Sequence, residues 1–188
     1  RTAVRDAGLW APPLPAVHGG MGLDLVAFAL VSEALGRPPL GHYTFGCNAP
    51  DAGNAELLAL HGTEEQKQRW IGPTLRGEVI WCQGYSEPGA GSDLASLQTS
   101  AREDGDEFVI NGQKIWTRPA DPADMLFVLV RPAPAARKHA GISYLLLPMD
   151  TPGLEVQPMR TMAGDIGENS FNQVFFTDVR VSQSNVVG

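Results

Sequence analysis

The chain has 188 residues, 43% of them hydrophobic, a formal net charge of −7 and a pI near 5.0. That length suits one ordinary domain or two small ones, and the acidity argues against a nucleic-acid partner, which needs a basic face. No apolar run reaches the roughly 20 residues that span a bilayer, since the longest candidate, residues 25–35, is broken by Ser32 and Glu33. Nothing at the N-terminus resembles a signal peptide. Cys47 and Cys82 make neither a disulfide framework nor a metal site and read as buried thiols. His18, His42, His61 and His139 are scattered without ligand-like spacing, so no metal is indicated. With Arg1 at one end and a strand-like segment before Gly188 at the other, both ends read as cut.

Residues 6–77 carry a helical pattern. Asp24 can cap a helix in which Leu25, Phe28, Ser32 and Leu35 recur at helical spacing, ending at Gly36 before Pro38-Pro39. A second helix is predicted over residues 51–60, stopping near Gly62. Thr63-Glu64-Glu65-Gln66 is a capping box, whose hydroxyl and amide satisfy two helix-end N–H groups reciprocally. The helix it opens is predicted to break at Gly72-Pro73, with a last turn closing at Gly77.

After Gly77 the period changes from 3.6 to 2. Residues 79–85 read as a strand. Residues 98–103, 107–110 and 113–117 read as a three-stranded meander through Asp104-Gly105 and Asn111-Gly112, the strongest two-residue hairpin signals. Further strands are predicted over residues 125–131, 142–148, 154–157 and 172–181. Short strands without intervening long helices indicate an antiparallel barrel or sandwich. The fold class is therefore α+β, a partial helical bundle over residues 1–78 followed by an antiparallel β-domain over residues 79–188.

Two segments carry the chemistry. Tyr85-Ser86-Glu87-Pro88-Gly89-Ala90-Gly91-Ser92-Asp93 is a Gly-rich turn with two serine hydroxyls and close-spaced backbone N–H groups, suited to approaching polar oxygens. Asn111-Gly112-Gln113-Lys114-Ile115-Trp116-Thr117 presents an aromatic face and a hydroxyl, which can hold a heteroaromatic ring. Competing motifs fail. Gly89-Ala90-Gly91-Ser92-Asp93 runs into Leu94 where a dinucleotide fingerprint needs glycine, and no lysine completes a P-loop. Gly84-Tyr85-Ser86-Glu87 runs into Pro88, so there is no nucleophile elbow.

In order and spacing these two segments resemble the acyl-CoA dehydrogenase family. Pro15 to Leu23 with Gly19-Gly20 and Gly22, the Gly62 to Trp70 helix, Asp150-Thr151-Pro152-Gly153-Leu154 and the run from Phe171 to Val181 resemble it too. The resemblance implies a small β-barrel between two helical domains, the C-terminal one absent here. It implies FAD as cofactor, an acyl-CoA substrate desaturated to the trans-2-enoyl-CoA, an electron-transfer flavoprotein or similar acceptor, and a homo- or hetero-tetramer. The setting implied is cytoplasmic, with mitochondrial and peroxisomal locations left open.

Carried over by position, Gln83, Gly84, Tyr85 and Ser86 lie along the flavin, Ser86 at its pyrimidine side. Gly91 and Ser92 approach the pyrophosphate, Ser92 also the acyl-CoA. Trp116, Thr117 and Arg118 lie along the isoalloxazine, Thr117 near N5. Arg118-Pro119 departs from the small polar residue and glycine expected there. The base implied is a Glu on the C-terminal helical domain, so no catalytic residue is assigned in this chain. Alternatives are an acyl-CoA oxidase, a flavin monooxygenase, or a non-catalytic subunit of a heteromeric complex.

Overall fold

The computed structural model describes residues 1–132, 138–162, 164 and 171–188. The chain is α+β, with two compact units, Arg1–Val79 and Ile80–Gly188.

The first unit holds α1 (Thr2–Asp6), α2 (Leu25–Leu35), α3 (Gly41–Thr44), α4 (Asp51–His61) and α5 (Glu64–Arg76). Asp24 caps α2, its Oδ1 accepting from the Ala27 N–H at 2.8 Å. Of the expected α2 stripe only Leu35 is buried, while Leu25, Val26 and Leu30 stand exposed. The Ser32 hydroxyl lies 2.8 Å from His42 Nε2, bracing α2 against α3. Both hydrogen bonds of the Thr63–Gln66 capping box are present. The predicted break at Gly72-Pro73 does not occur. Pro73 removes the N–H that would pair with the Arg69 carbonyl, yet the helix runs on through it, and the Thr74 hydroxyl donates to the Trp70 carbonyl at 2.7 Å. It ends at Gly77, left-handed with φ 75°, where the N–H groups of Gly77 and Glu78 reach the Thr74 and Pro73 carbonyls.

The second unit consists of two sheets. One has three strands in the order β1 (Trp81–Gly84), β4 (Met125–Val130), β5 (Ser143–Pro148). The other has four, in the order β2 (Ser100–Asp104), β3 (Glu107–Thr117), β7 (Asn172–Ser182), β6 (Leu154–Pro158). Their apolar faces enclose a core that includes Leu126, Val128, Leu145, Ile110, Val174 and Val179. Strand alternation supplies this core directly, because every second residue faces inward.

Three expectations need correction. Among the described residues there is no closed barrel. Among these residues the two sheets are joined by isolated bridges, Ser100↔Arg131 and Leu145↔Val186, whereas closure needs a continuous ladder. The unit is a sandwich. Nor is it wholly antiparallel, since β1 and β4 pair in parallel. Between them the chain crosses to the other sheet to make β2 and β3, so no crossover helix is involved.

The meander also differs. The β2–β3 hairpin forms, with Gly105 at φ 69° in its two-residue loop. Asn111-Gly112, however, makes no turn, and β3 continues through it to Thr117. A tertiary partner decides this. β7 pairs along the whole of β3, and Asp178, at φ 49°, occupies a bulge opposite Asn111. The Asn111 side-chain amide donates to Asp178 Oδ1 at 3.0 Å and accepts from the Asp178 N–H at 2.9 Å. Gly112 is needed for room: a Cβ there would lie 2.6 Å from Thr99 Oγ1 and 2.8 Å from Thr99 Cα.

Candidate functional site

The site starts from a second irregularity in the same ladder. Lys114 pairs with Val174 and Thr117 with Asn172, so β3 carries one more residue than β7 over this span. Trp116 takes φ 63°, a left-handed conformation in which a bulky side chain is strained. Simple alternation from the buried Lys114 would turn Trp116 inward and Thr117 outward. The bulge reverses both, leaving Trp116 55% exposed and Thr117 buried. The Phe171 ring meets Trp116 edge-on, with centroids 5.9 Å apart at 86°, and braces the indole.

Beside this wall lies the Gly-rich loop, closed by a tight turn in which Glu87 and Ala90 exchange two backbone hydrogen bonds of 3.0 Å. Glu87 points inward. Its carboxylate accepts from the backbone N–H groups of Gln98 at 2.6 Å and Thr99 at 2.9 Å, and from Lys114 Nζ at 2.9 Å. Lys114 Nζ also donates to the Tyr85 carbonyl at 3.1 Å. The Lys114 side chain is fully buried and that of Glu87 only 8% exposed. Burial pulls the Glu87 carboxyl upward, but its hydrogen bonds outweigh this and hold it below the ordinary range. Burial pushes Lys114 down, against the pull of Glu87.

The expected site residues divide into two groups. Ser86 is half-buried, and its carbonyl accepts from the Ile115 N–H at 2.9 Å, which joins the loop to the Trp116 bulge. Gly91, Ser92, Trp116 and Arg118 are exposed on the surface. The Arg118 guanidinium lies 5.8 Å from the Phe171 ring centroid. By contrast, Gly84 and Thr117 face inward. A Cβ at Gly84 would sit 3.2 Å from the Lys114 stem, so this glycine makes room for the buried lysine. Tyr85 hydrogen-bonds through its hydroxyl to Tyr144, and the half-buried Gln83 amide donates to the Tyr85 hydroxyl at 3.4 Å. Burial pushes the ionisation of both phenols to higher pH.

Sequence reasoning missed the Glu87–Lys114 pair, Tyr144 and the partnership of Phe171 with Trp116. One signal was available. Phe108, Ile110, Gly112 and Lys114 share a face by period-two spacing, and an inward lysine requires a buried partner. Among the described residues no group of three or more His, Cys, Asp or Glu could hold a metal ion, and no helix is long and apolar enough to cross a membrane.

Comparison with known proteins matches residues 2–78 to the acyl-CoA dehydrogenase N-terminal domain and residues 82–179 to the acyl-CoA dehydrogenase middle domain. The acyl-CoA dehydrogenase IpdE1 of Mycobacterium tuberculosis is 43% identical over 190 residues, covering 97% of this chain and 46% of the relative. A solved candidate acyl-CoA dehydrogenase from Mycobacterium abscessus superposes with a TM-score of 0.90 at 34% identity, over 99% of this chain and 47% of that one. A chain of the ChsE4–ChsE5 complex from Mycobacterium tuberculosis gives a TM-score of 0.79 at 34% identity, over 98% of this chain and 47% of that one. The chain thus spans about half the length of these relatives. With both domain matches in order along one chain, the protein belongs to the acyl-CoA dehydrogenase family.

Proposed function

We propose that this chain supplies the N-terminal and middle-domain part of an FAD-dependent acyl-CoA dehydrogenase that desaturates an acyl-CoA thioester to the trans-2-enoyl-CoA. The observation that supports this most is Trp116, strained at φ 63° and turned outward beside an open Gly-rich loop. Strain of this kind persists only where the surroundings impose it, and it concentrates at ligand sites.

The residues fit a flavin. The outward indole offers a face for a planar ring. Gly89 and Gly91 have no neighbouring atoms within 4 Å of where a side chain would begin, so a ligand can approach the backbone closely. Ser92 presents an exposed hydroxyl for a phosphate, and the neighbouring Asp93 is paired with Lys138, which reduces its repulsion of a diphosphate. Bound FAD would accept the hydride released from the β-carbon of the substrate. Within this chain, Trp116 and Ser86 orient the ring, Ser92 holds the phosphate side, and Arg118 places a cation at the exposed edge of the wall. Gly84 and Thr117 act through packing and backbone.

The proton next to the thioester carbonyl requires a carboxylate base. Among the described residues the buried carboxylate is Glu87, which is held ionised by Lys114 and two backbone N–H groups and points away from the wall. In this reading the base is not Glu87 and is supplied by a further helical domain or a partner subunit. The likeness to a chain of the ChsE4–ChsE5 complex supports a second reading, in which this chain is one subunit of a heteromeric enzyme and contributes only part of the flavin site.

The test is FAD titration of the full-length polypeptide carrying this chain, followed by absorbance and flavin fluorescence. Ser92→Ala removes a hydrogen bond to a charged group, which contributes about 1.5–3 kcal/mol, so affinity should fall roughly 10- to 100-fold. Trp116→Ala should shift the long-wavelength flavin band. Unchanged affinity and spectra in both variants would overturn the site. A slow reaction with oxygen and rapid reduction of an electron-transfer flavoprotein or dye would separate a dehydrogenase from an oxidase.

A further inference from the structure

The buried Lys114–Glu87 pair lies beneath the proposed wall, and the Tyr85–Ser86 segment, the two ends of the Gly-rich loop and the Trp116 bulge are each tied to it. Lys114 holds the end of β1 through the Tyr85 carbonyl, one residue before Ser86. Glu87 holds the start of the Gly-rich loop and, through Gln98 and Thr99, the segment that leads out of it. Lys114 immediately precedes the Ile115–Trp116 bulge, and Ile115 is bonded back to Ser86. One ammonium and one carboxylate thus bind three separate chain segments in an interior site where either charge alone would be costly.

Taking the flavin reading above as given, we propose that Lys114 and Glu87 are positioning residues, which hold the Gly-rich loop and the strained Trp116 in a single register as a preformed cofactor wall. A hydrophobic pair would fill the same volume. It would leave the Gln98 and Thr99 N–H groups and the Tyr85 carbonyl without these partners, and the loop free to drift from the bulge. The ion pair supplies one acceptor for two backbone donors and one donor for a backbone acceptor, which apolar side chains cannot do. Sites held by such supporting contacts lose function when the support loosens, even with every contacting residue intact.

The experiment compares the full-length wild type with Lys114→Met, the double variant Lys114→Met/Glu87→Leu, and Val179→Ala, a core truncation in the same unit distant in sequence from the loop. Melting temperature, amide hydrogen exchange without added FAD, and FAD affinity are measured on each. The double variant removes both charges and should recover much of the melting temperature lost in Lys114→Met. Its Gln98, Thr99 and Ile115 amides should still exchange faster than in wild type, and FAD should bind roughly 10- to 100-fold more weakly, the size of effect that outer supporting partners have at other sites. Val179→Ala should lower the melting temperature while leaving those amides and FAD affinity near wild type. The inference is overturned if the double variant matches wild type in amide exchange and affinity, or if Val179→Ala weakens FAD equally. If wild type itself binds no FAD, the functional reading fails, and the amide exchange alone decides whether the pair positions the loop.

Discussion

Replacing Lys114 by Met leaves the Glu87 carboxylate in a site that is 8% exposed, with two backbone N–H groups but no cation. The carboxyl group can escape this cost by taking up a proton, and that sets a ceiling. From an ordinary value of 4.5, protonation at pH 7 covers about 2.5 units at about 1.4 kcal/mol each, or about 3.4 kcal/mol. At pH 5 the same ceiling is about 0.7 kcal/mol. The Tyr85 carbonyl also loses its donor, which adds about 1–3 kcal/mol at either pH. Lys114→Met should therefore cost about 3–5 kcal/mol at pH 7, in line with the breaking of other buried pairs. The cost should shrink by about 2–3 kcal/mol at pH 5. Urea unfolding of wild type and variant at both pH values measures this, taking the difference between the two proteins at each pH so that other titrating groups cancel. A loss below about 1 kcal/mol at pH 7, or one that does not change with pH, would refute the account of Glu87 as a buried ion dependent on Lys114.

The wild-type protein should lose stability as pH falls through the range below 4.5, because Glu87 is held below its unfolded value, so the unfolded state binds more protons there; Glu87→Gln should flatten the acid limb of a stability–pH curve relative to wild type. Gly112→Ala should destabilise the β-unit by about 1–3 kcal/mol in chemical denaturation, since the new methyl meets Thr99 backbone at 2.8 Å and the residue sits at φ 153°. Cys82, buried and with its thiol pushed up to about 12, should resist alkylation by iodoacetamide at pH 8 in the native state and react on unfolding, as mass spectrometry would show.

Local chemistry was sufficient for much of this protein. The Asp24 cap, the Thr63–Gln66 capping box and the Gly77 stop depend on side chains a few residues apart, so they fold as the sequence indicates. The strand segments at residues 125–130, 143–148, 154–158 and 172–182 follow from short apolar or alternating runs between turn signals: β7 alternates and buries one face, whereas β4 is a continuous apolar run buried on both. The two segments that suggested the family are likewise contiguous, and the domain matches support them. Tertiary pairing decided the rest. Asn111-Gly112 has the residues of a hairpin turn, yet β7 pairs straight across it and Asp178 supplies the bulge instead. Pairing register also turned Trp116 outward and Thr117 inward, since one extra residue in a ladder exchanges the faces of those that follow. The Glu87–Lys114 pair joins residues 27 apart, and no local pattern states which inward carboxylate an inward lysine will meet. Whether the sheets close into a barrel or stay a sandwich depends on edge contacts between strands distant in sequence, which propensity and periodicity do not encode.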